Sequence, residues 1–182
     1  MEYAVLSSDT LKTFREIQKR IRRLQNWGSI DSLKHLGINP GNQVGASFVS
    51  LKKLASGYFP NEQIACLLWN TQRREEQIVA CLLLPKKINK EKITQLIQSC
   101  CNFEIAEYFG SFFLYDFENL SEIATKWINS PNPFMQIAVL TACARHLILN
   151  KSRTVISKEF FNSMISNNYK DKYVQLVAQR YR

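Results

Sequence analysis

Long hydrophobic runs are missing from this chain of 182 residues. No stretch approaches the roughly 18 consecutive apolar residues of a transmembrane helix, and Met1 to Val5 is too short and too acidic for a signal peptide. A cytoplasmic protein without a membrane contact is expected by default. There are only two histidines, His35 and His146, far apart, and none of the five cysteines forms a Cys-x-x-Cys pair. No Cys/His/carboxylate grouping therefore has metal-ligand spacing, and no bound metal is expected. Gly-x-Gly-x-x-Gly, a Walker loop and Gly-x-Ser-x-Gly are also absent, so nucleotide cofactors and serine hydrolysis lack their local signatures and no cofactor is expected. Cys66, Cys81 and Cys143 fall in apolar helical runs, where thiols behave as small hydrophobes. A redox role for the vicinal Cys100-Cys101 is the alternative.

What is present is apolar residues at helical spacing, and a repeat. With 46% apolar and 21% charged residues the chain is able to bury one continuous core, read as a single helical-repeat domain over 1–182. Ile64-Ala65, Asn70-Thr71 and Gln77-Ile78 return 59 positions later as Ile123-Ala124, Asn129-Ser130 and Gln136-Ile137. Each copy reads as an apolar helix with a Trp near its end (Trp69, Trp127), a polar break, and a second apolar helix (Glu75 to Leu84; Phe134 to Leu149). Between them Ile88 to Ser99, a break at Cys100-Cys101-Asn102, and Phe103 to Tyr115 supply an intermediate unit. A helix pair cannot bury its apolar face alone, so the pattern predicts an all-α fold of HEAT-like antiparallel helix pairs stacked into a curved solenoid. The units, about 47–84, 88–116, 119–149 and 157–182, are shorter than the ~40 to 47 residues of standard HEAT repeats. An irregular helical domain with two similar hairpins is the alternative.

Local signals place the helix ends. Leu11, Phe14, Ile17, Ile21 and Leu24 give a first helix over about 10–26, which Asp9 is placed to cap. His35 to Gln43 breaks the pattern, and Val49 to Ala55 starts the next helix. Asn61 and Ser157 are candidate caps, Asn132-Pro133 puts proline at the first helical position, and Asn119 with Glu122 resembles a capping box. A last amphipathic stretch runs from Tyr169 to Tyr181.

The net charge of +9 is concentrated toward the ends. Lys12, Arg15, Lys19, Arg20, Arg22 and Arg23 lie in the first helix; Arg145, Lys151, Arg153, Lys158, Lys170, Lys172, Arg180 and Arg182 lie toward the C-terminus. Two basic ends suit a polyanion in a concave cleft, since neutralised phosphates release condensed counterions. Duplex DNA is the expected partner, contacted by Arg15, Arg22, Lys52, Lys53, Arg145 and Arg180; a solvated basic surface is the alternative. Phe103 to Thr125 carries five carboxylates and no Lys or Arg. Within it Phe103 and Glu107, at i and i+4, put an aromatic ring and a carboxylate on one helix face, either as a site or as a packed ring beside a solvated acid.

The run Gly45-Ala46-Ser47, Leu51-Lys52-Lys53-Leu54-Ala55, Ile64 to Trp69 and Glu75 to Ala80 resembles the HEAT-like alkylpurine DNA glycosylases of the AlkD type. These carry a glycine before a basic helix, a Leu-Trp helix end and a Glu-x-x-x-x-Ala helix in this order. The resemblance continues through Trp127 to Ser130 and Pro133-Phe134 to Tyr173-Val174-Gln175. It implies excision of cationic alkylated purines from duplex DNA gripped in a concave cleft, with a tryptophan and, one turn on, an aspartate against the lesion's deoxyribose. Those positions match Phe103 and Glu107. The implied phosphate-binding arginine falls on Ile137, and the second cleft tryptophan has no counterpart nearer than Arg180 or Tyr181.

Three readings follow: a DNA-binding, monomeric member of the alkylation-repair family with weak, altered or lost excision; a competent glycosylase using Glu107 and Phe103; and a helical-repeat protein-interaction scaffold with no nucleic-acid function.

Overall fold

The computed structural model describes residues 7–38, 43–150 and 154–182, and every described regular element is helical. Lys151 and Arg153, placed above in the basic C-terminal group, and Met1 to Val5 lie outside the described residues. The chain divides into two compact units, Met1–Ile88 and Asn89–Arg182.

The first unit holds α1 (Ser8–Arg22), α2 (Trp27–His35), α3 (Phe48–Ala55), α4 (Glu62–Asn70) and α5 (Arg74–Leu83). Ser7 caps α1 through the Thr10 amide, so Asp9 sits inside the first turn rather than at the cap. There its charge still favours the positive end of the helix dipole. Ile17 and Ile21 of α1, Leu51 of α3, Leu68 and Trp69 of α4 and Ile78 of α5 build the core. Helix α2 does not show in the sequence pattern; only Ile30 of its residues is buried, too little for an amphipathic stripe.

Charge is buried here as well as apolar surface. Glu75 is 1% exposed and accepts hydrogen bonds from the amides of Val44 (3.1 Å) and Gly45 (3.0 Å) and from Arg74 Nη1 (2.9 Å). Arg74 Nη1 also donates to the Ala46 carbonyl (3.1 Å). Glu76 accepts from Gln18 of α1 (3.0 Å) and from the Thr71 hydroxyl (2.8 Å). Gly45 has φ +71°, and a Cβ there would lie 2.3 Å from the Asn26 carbonyl oxygen. Only glycine fits that bend, and the Glu75 carboxylate satisfies the amides it exposes.

The second unit holds α6 (Lys90–Gln98), α7 (Phe103–Tyr108), α8 (Leu120–Trp127), α9 (Pro133–Leu149), α10 (Lys158–Ser166) and α11 (Lys172–Arg180). The predicted helix over Phe103 to Tyr115 is three pieces: α7, a π-helical turn Phe109–Phe113 and a 3-10 turn Leu114–Asp116. Helix α9 is apolar almost all round and forms the centre, packed against the other helices of the unit and the π turn. Gly110 of that turn makes the approach possible, since a Cβ would fall 2.0 Å from Thr141 Oγ1 and 2.2 Å from the Ala138 carbonyl oxygen.

Asn61, Asn132 and Ser157 cap their helices as expected. Asn119 makes no side-chain cap; its expected partner Glu122 instead pairs with Lys90. The two sequence copies carry the same hydrogen bonds. Gln77 donates to the Trp69 carbonyl and Gln136 to the Ile128 carbonyl, both at 3.1 Å. Thr71 Oγ1 accepts from the Arg73 amide (3.4 Å), and Ser130 Oγ from the Asn132 amide (3.1 Å). Each donor and acceptor is displaced by the repeat offset.

Cys81, Cys100 and Cys143 are buried, Cys66 and Cys101 half-buried. Burial pushes the Cys143 thiol up to about 12, and burial, opposed in part by hydrogen bonding with the Asn102 backbone, pushes Cys100 higher still. Both are kept from the reactive thiolate form. Among the described residues no helix is long and apolar enough to cross a membrane, and no group of three or more His, Cys, Asp or Glu is arranged to hold a metal ion.

Candidate nucleic-acid interface

Asn102 caps α7 through the Ile105 amide (3.0 Å), which sets Phe103 at the first helical position and Glu107 one turn on. Asp171 caps α11 through the amides of Tyr173 (2.8 Å) and Val174 (3.1 Å), leaving Arg180 at the helix's last position. The two helices meet through both pairs. Phe103 stacks on Tyr173, with ring centroids 4.1 Å apart and planes inclined by 14°. Arg180 holds Glu107 with two nitrogens on two oxygens, at 2.6 and 3.3 Å.

This fork is the strongest geometry available to an arginine and a carboxylate. It raises the Arg180 pKa above its ordinary value, chiefly through the hydrogen bond to Glu107. Both carboxylate oxygens are engaged, and one face of the Phe103 ring is covered. Lys172 Nζ lies 4.8 Å from the centre of the Tyr173 ring, within cation–π range. The pair is not sealed, however: the Arg180 side chain is 53% exposed and that of Glu107 24%. An exposed pair of this kind is held by about 1 kcal/mol or less.

Arg145, on α9, lies over two rings, 4.7 Å from the centre of Phe112 and 5.0 Å from that of Tyr115, with its Nε buried and unbonded. Ile137 is fully buried. An arginine there would enter the core, so Ile137→Arg, which the resemblance suggests as a way to restore a phosphate contact, is no such route.

In the first unit Arg15, Arg22, Lys52 and Lys53 are exposed. Lys12, Arg15, Lys19 and Arg22 follow one another at spacings of three and four, a single exposed stripe on α1. Lys53 faces other residues: it lines a cavity of about 540 Å³ with Arg20, Arg23, Leu24, Ser50 and Leu54. Arg20 and Arg23, counted in the sequence only within the basic first helix, and Tyr173, which entered only through the resemblance, were not among the expected contact residues. The available signal for Tyr173 was its place two helical turns before Arg180, hence on the same helix face.

The described residues thus carry a basic stripe on α1 in the first unit and, in the second, an arginine-bound carboxylate beside stacked aromatic rings. Residues 17–157 match the family model described as DNA alkylation repair enzyme, so the chain belongs to that family. No curated protein and no solved structure matches it.

Proposed function

We propose that the protein binds duplex DNA through its basic faces, as a monomer in the cytoplasm on the nucleoid, and excises cationic alkylpurines weakly or not at all. The supporting fold is a single HEAT-like solenoid, favoured by the hydrogen bonds that the two copies share. The observation that carries the functional reading is the fork of Arg180 on Glu107. A carboxylate that serves glycosidic cleavage must present its charge to a sugar becoming oxocarbenium-like. Here that charge already faces a cation, and the aromatic partner expected to meet the deoxyribose is stacked on Tyr173.

DNA affinity measured as a function of salt, beside release of free 7-methylguanine and 3-methyladenine from methylated duplex, tests the proposal. Steep salt dependence with slow or undetectable release is expected. Rapid release makes the protein a competent glycosylase; undetectable DNA binding at ~50 mM salt favours the protein-interaction scaffold.

A further inference from the structure

The cavity lined by Arg20, Arg23, Leu24, Ser50, Lys53 and Leu54 is built entirely within the first unit, and its chemistry is more specific than that of a basic surface. We infer that it is a site for a nucleoside phosphomonoester.

Charge sets the first requirement. Arg20 has a local counter-ion, Glu16 at 3.8 Å, and is fixed by the Tyr58 hydroxyl, which accepts from its Nη1 at 2.8 Å while donating to Glu16 at 2.8 Å. The Tyr58 ring lies 5.3 Å from the guanidinium carbon. Arg20 is therefore held in place with donors to spare, since a guanidinium carries five N–H groups. Arg23 and Lys53 have no carboxylate partner among the described residues. Two cations remain uncompensated. A phosphodiester supplies one negative charge, whereas a phosphomonoester carries about −1.5 to −2 at neutral pH and matches them.

Ser50 adds a directed donor. Its amide donates to Ser47 Oγ (3.2 Å), and the Ser47 hydroxyl donates to Ser50 Oγ (3.0 Å). The Ser50 oxygen is thereby an acceptor from Ser47, and its own hydrogen is left to point to a ligand oxygen. The remaining walls are apolar: Leu24, half-buried, and Leu54, 5% exposed. A bare phosphate would leave them wet. A phosphate carrying a sugar and base uses both kinds of wall, and about 540 Å³ falls within the ~300 to 1,000 Å³ range of small-molecule sites. The site shares no residue with Glu107, Arg180 or the stacked rings and does not rest on the excision reading.

Binding of 2′-deoxyadenosine 5′-monophosphate, deoxyadenosine and inorganic phosphate to the full chain, measured by calorimetry, tests it. The monophosphate is expected to bind at least tenfold more tightly than either part, and Arg23→Gln with Lys53→Gln to abolish the difference. Ser50→Ala is expected to weaken it a few-fold. A control with the same loss of charge, Lys87→Gln with Lys126→Gln, should leave it unchanged, and circular dichroism checks that each variant is folded. A second arm compares hairpin duplexes ending in 5′-phosphate and 5′-hydroxyl. Preference for the phosphate end that disappears in the double variant identifies a strand end as the ligand; equal binding of the two hairpins beside tight monophosphate binding identifies the free nucleotide. No preference for the monophosphate over phosphate or deoxyadenosine, together with equal binding of the hairpins, overturns the proposal, as does a preference that survives in Arg23→Gln/Lys53→Gln. Because the first arm contains no DNA, failure of DNA binding and failure of this site are read separately.

Discussion

Glu107 on α7 and Arg180 on α11 stand 73 residues apart in sequence and meet oxygen to nitrogen at 2.6 Å. The sequence assigns one to catalysis and the other to DNA. In the folded unit the charge of each is met by the other, through both carboxylate oxygens of Glu107.

Removing the cation should expose the acid. Arg180→Gln is expected to raise release of alkylated purine from methylated duplex, and Glu107→Gln to leave none. Because the exposed pair is held by about 1 kcal/mol or less, the gain is expected to be about fivefold at most. Single-turnover assays of the two variants and their combination check it: a gain in Arg180→Gln that persists when Glu107 is also replaced would locate the chemistry elsewhere.

Basic residues of the first unit should govern salt dependence. Replacing Arg15, Arg22, Lys52 and Lys53 by Ser is expected to flatten the plot of log affinity against log salt by about 0.9 for each phosphate that is no longer neutralised. Fluorescence anisotropy with a labelled duplex measures the slope. An unchanged slope would remove these side chains from the interface.

Two glutamates of the first unit should differ sharply in their effect on stability. Glu75→Ala leaves the buried Arg74 without the carboxylate at 2.9 Å and two amides without their acceptor, a change expected to cost about 3 to 5 kcal/mol. Glu16→Ala, at a side chain 56% exposed, should cost about 0.5 kcal/mol or less. Urea denaturation of both variants tests the contrast.

Alkali should weaken the fold. Cys143 is pushed from an ordinary 9.0 up to about 12, and Tyr169 from 10.0 up to about 12, in both cases mainly by burial. Above pH 9 the unfolded chain gives up these protons while the folded chain keeps them, so the unfolded state binds fewer protons and stability falls. The full contribution is present below pH 9 and is lost progressively toward pH 12. Thermal melting across this window should show a declining midpoint that Cys143→Ala makes shallower.

The residues that were legible in sequence are those whose partners are near. Asn61, Asn132 and Ser157 reach amides two or three residues on, and such caps are read from a short window. Asn119 with Glu122 has the same local form but fails: the Asn119 backbone is not extended (φ −100°, ψ 28°) as at those caps, and the Glu122 side chain finds Lys90 across the unit. Phe103 and Glu107 were visible as a pair on one face. What covers them, Tyr173 and Arg180, belongs to a helix whose placement no local spacing gives. The acids of α5 stand against their local type: acids at a helix start commonly face solvent and the dipole, yet Glu75 and Glu76 are almost wholly buried around a loop and a helix end.

The bond between Glu75 and the Gly45 bend has a consequence for descent. Much of what makes this chain recognisable, the glycine before α3 and the acid opening α5, consists of parts that close a loop over a buried carboxylate. Selection for a folded chain alone would preserve them. The half-exposed surface of α7 and α11 closes no such loop, so a change of side chain there leaves the core packed.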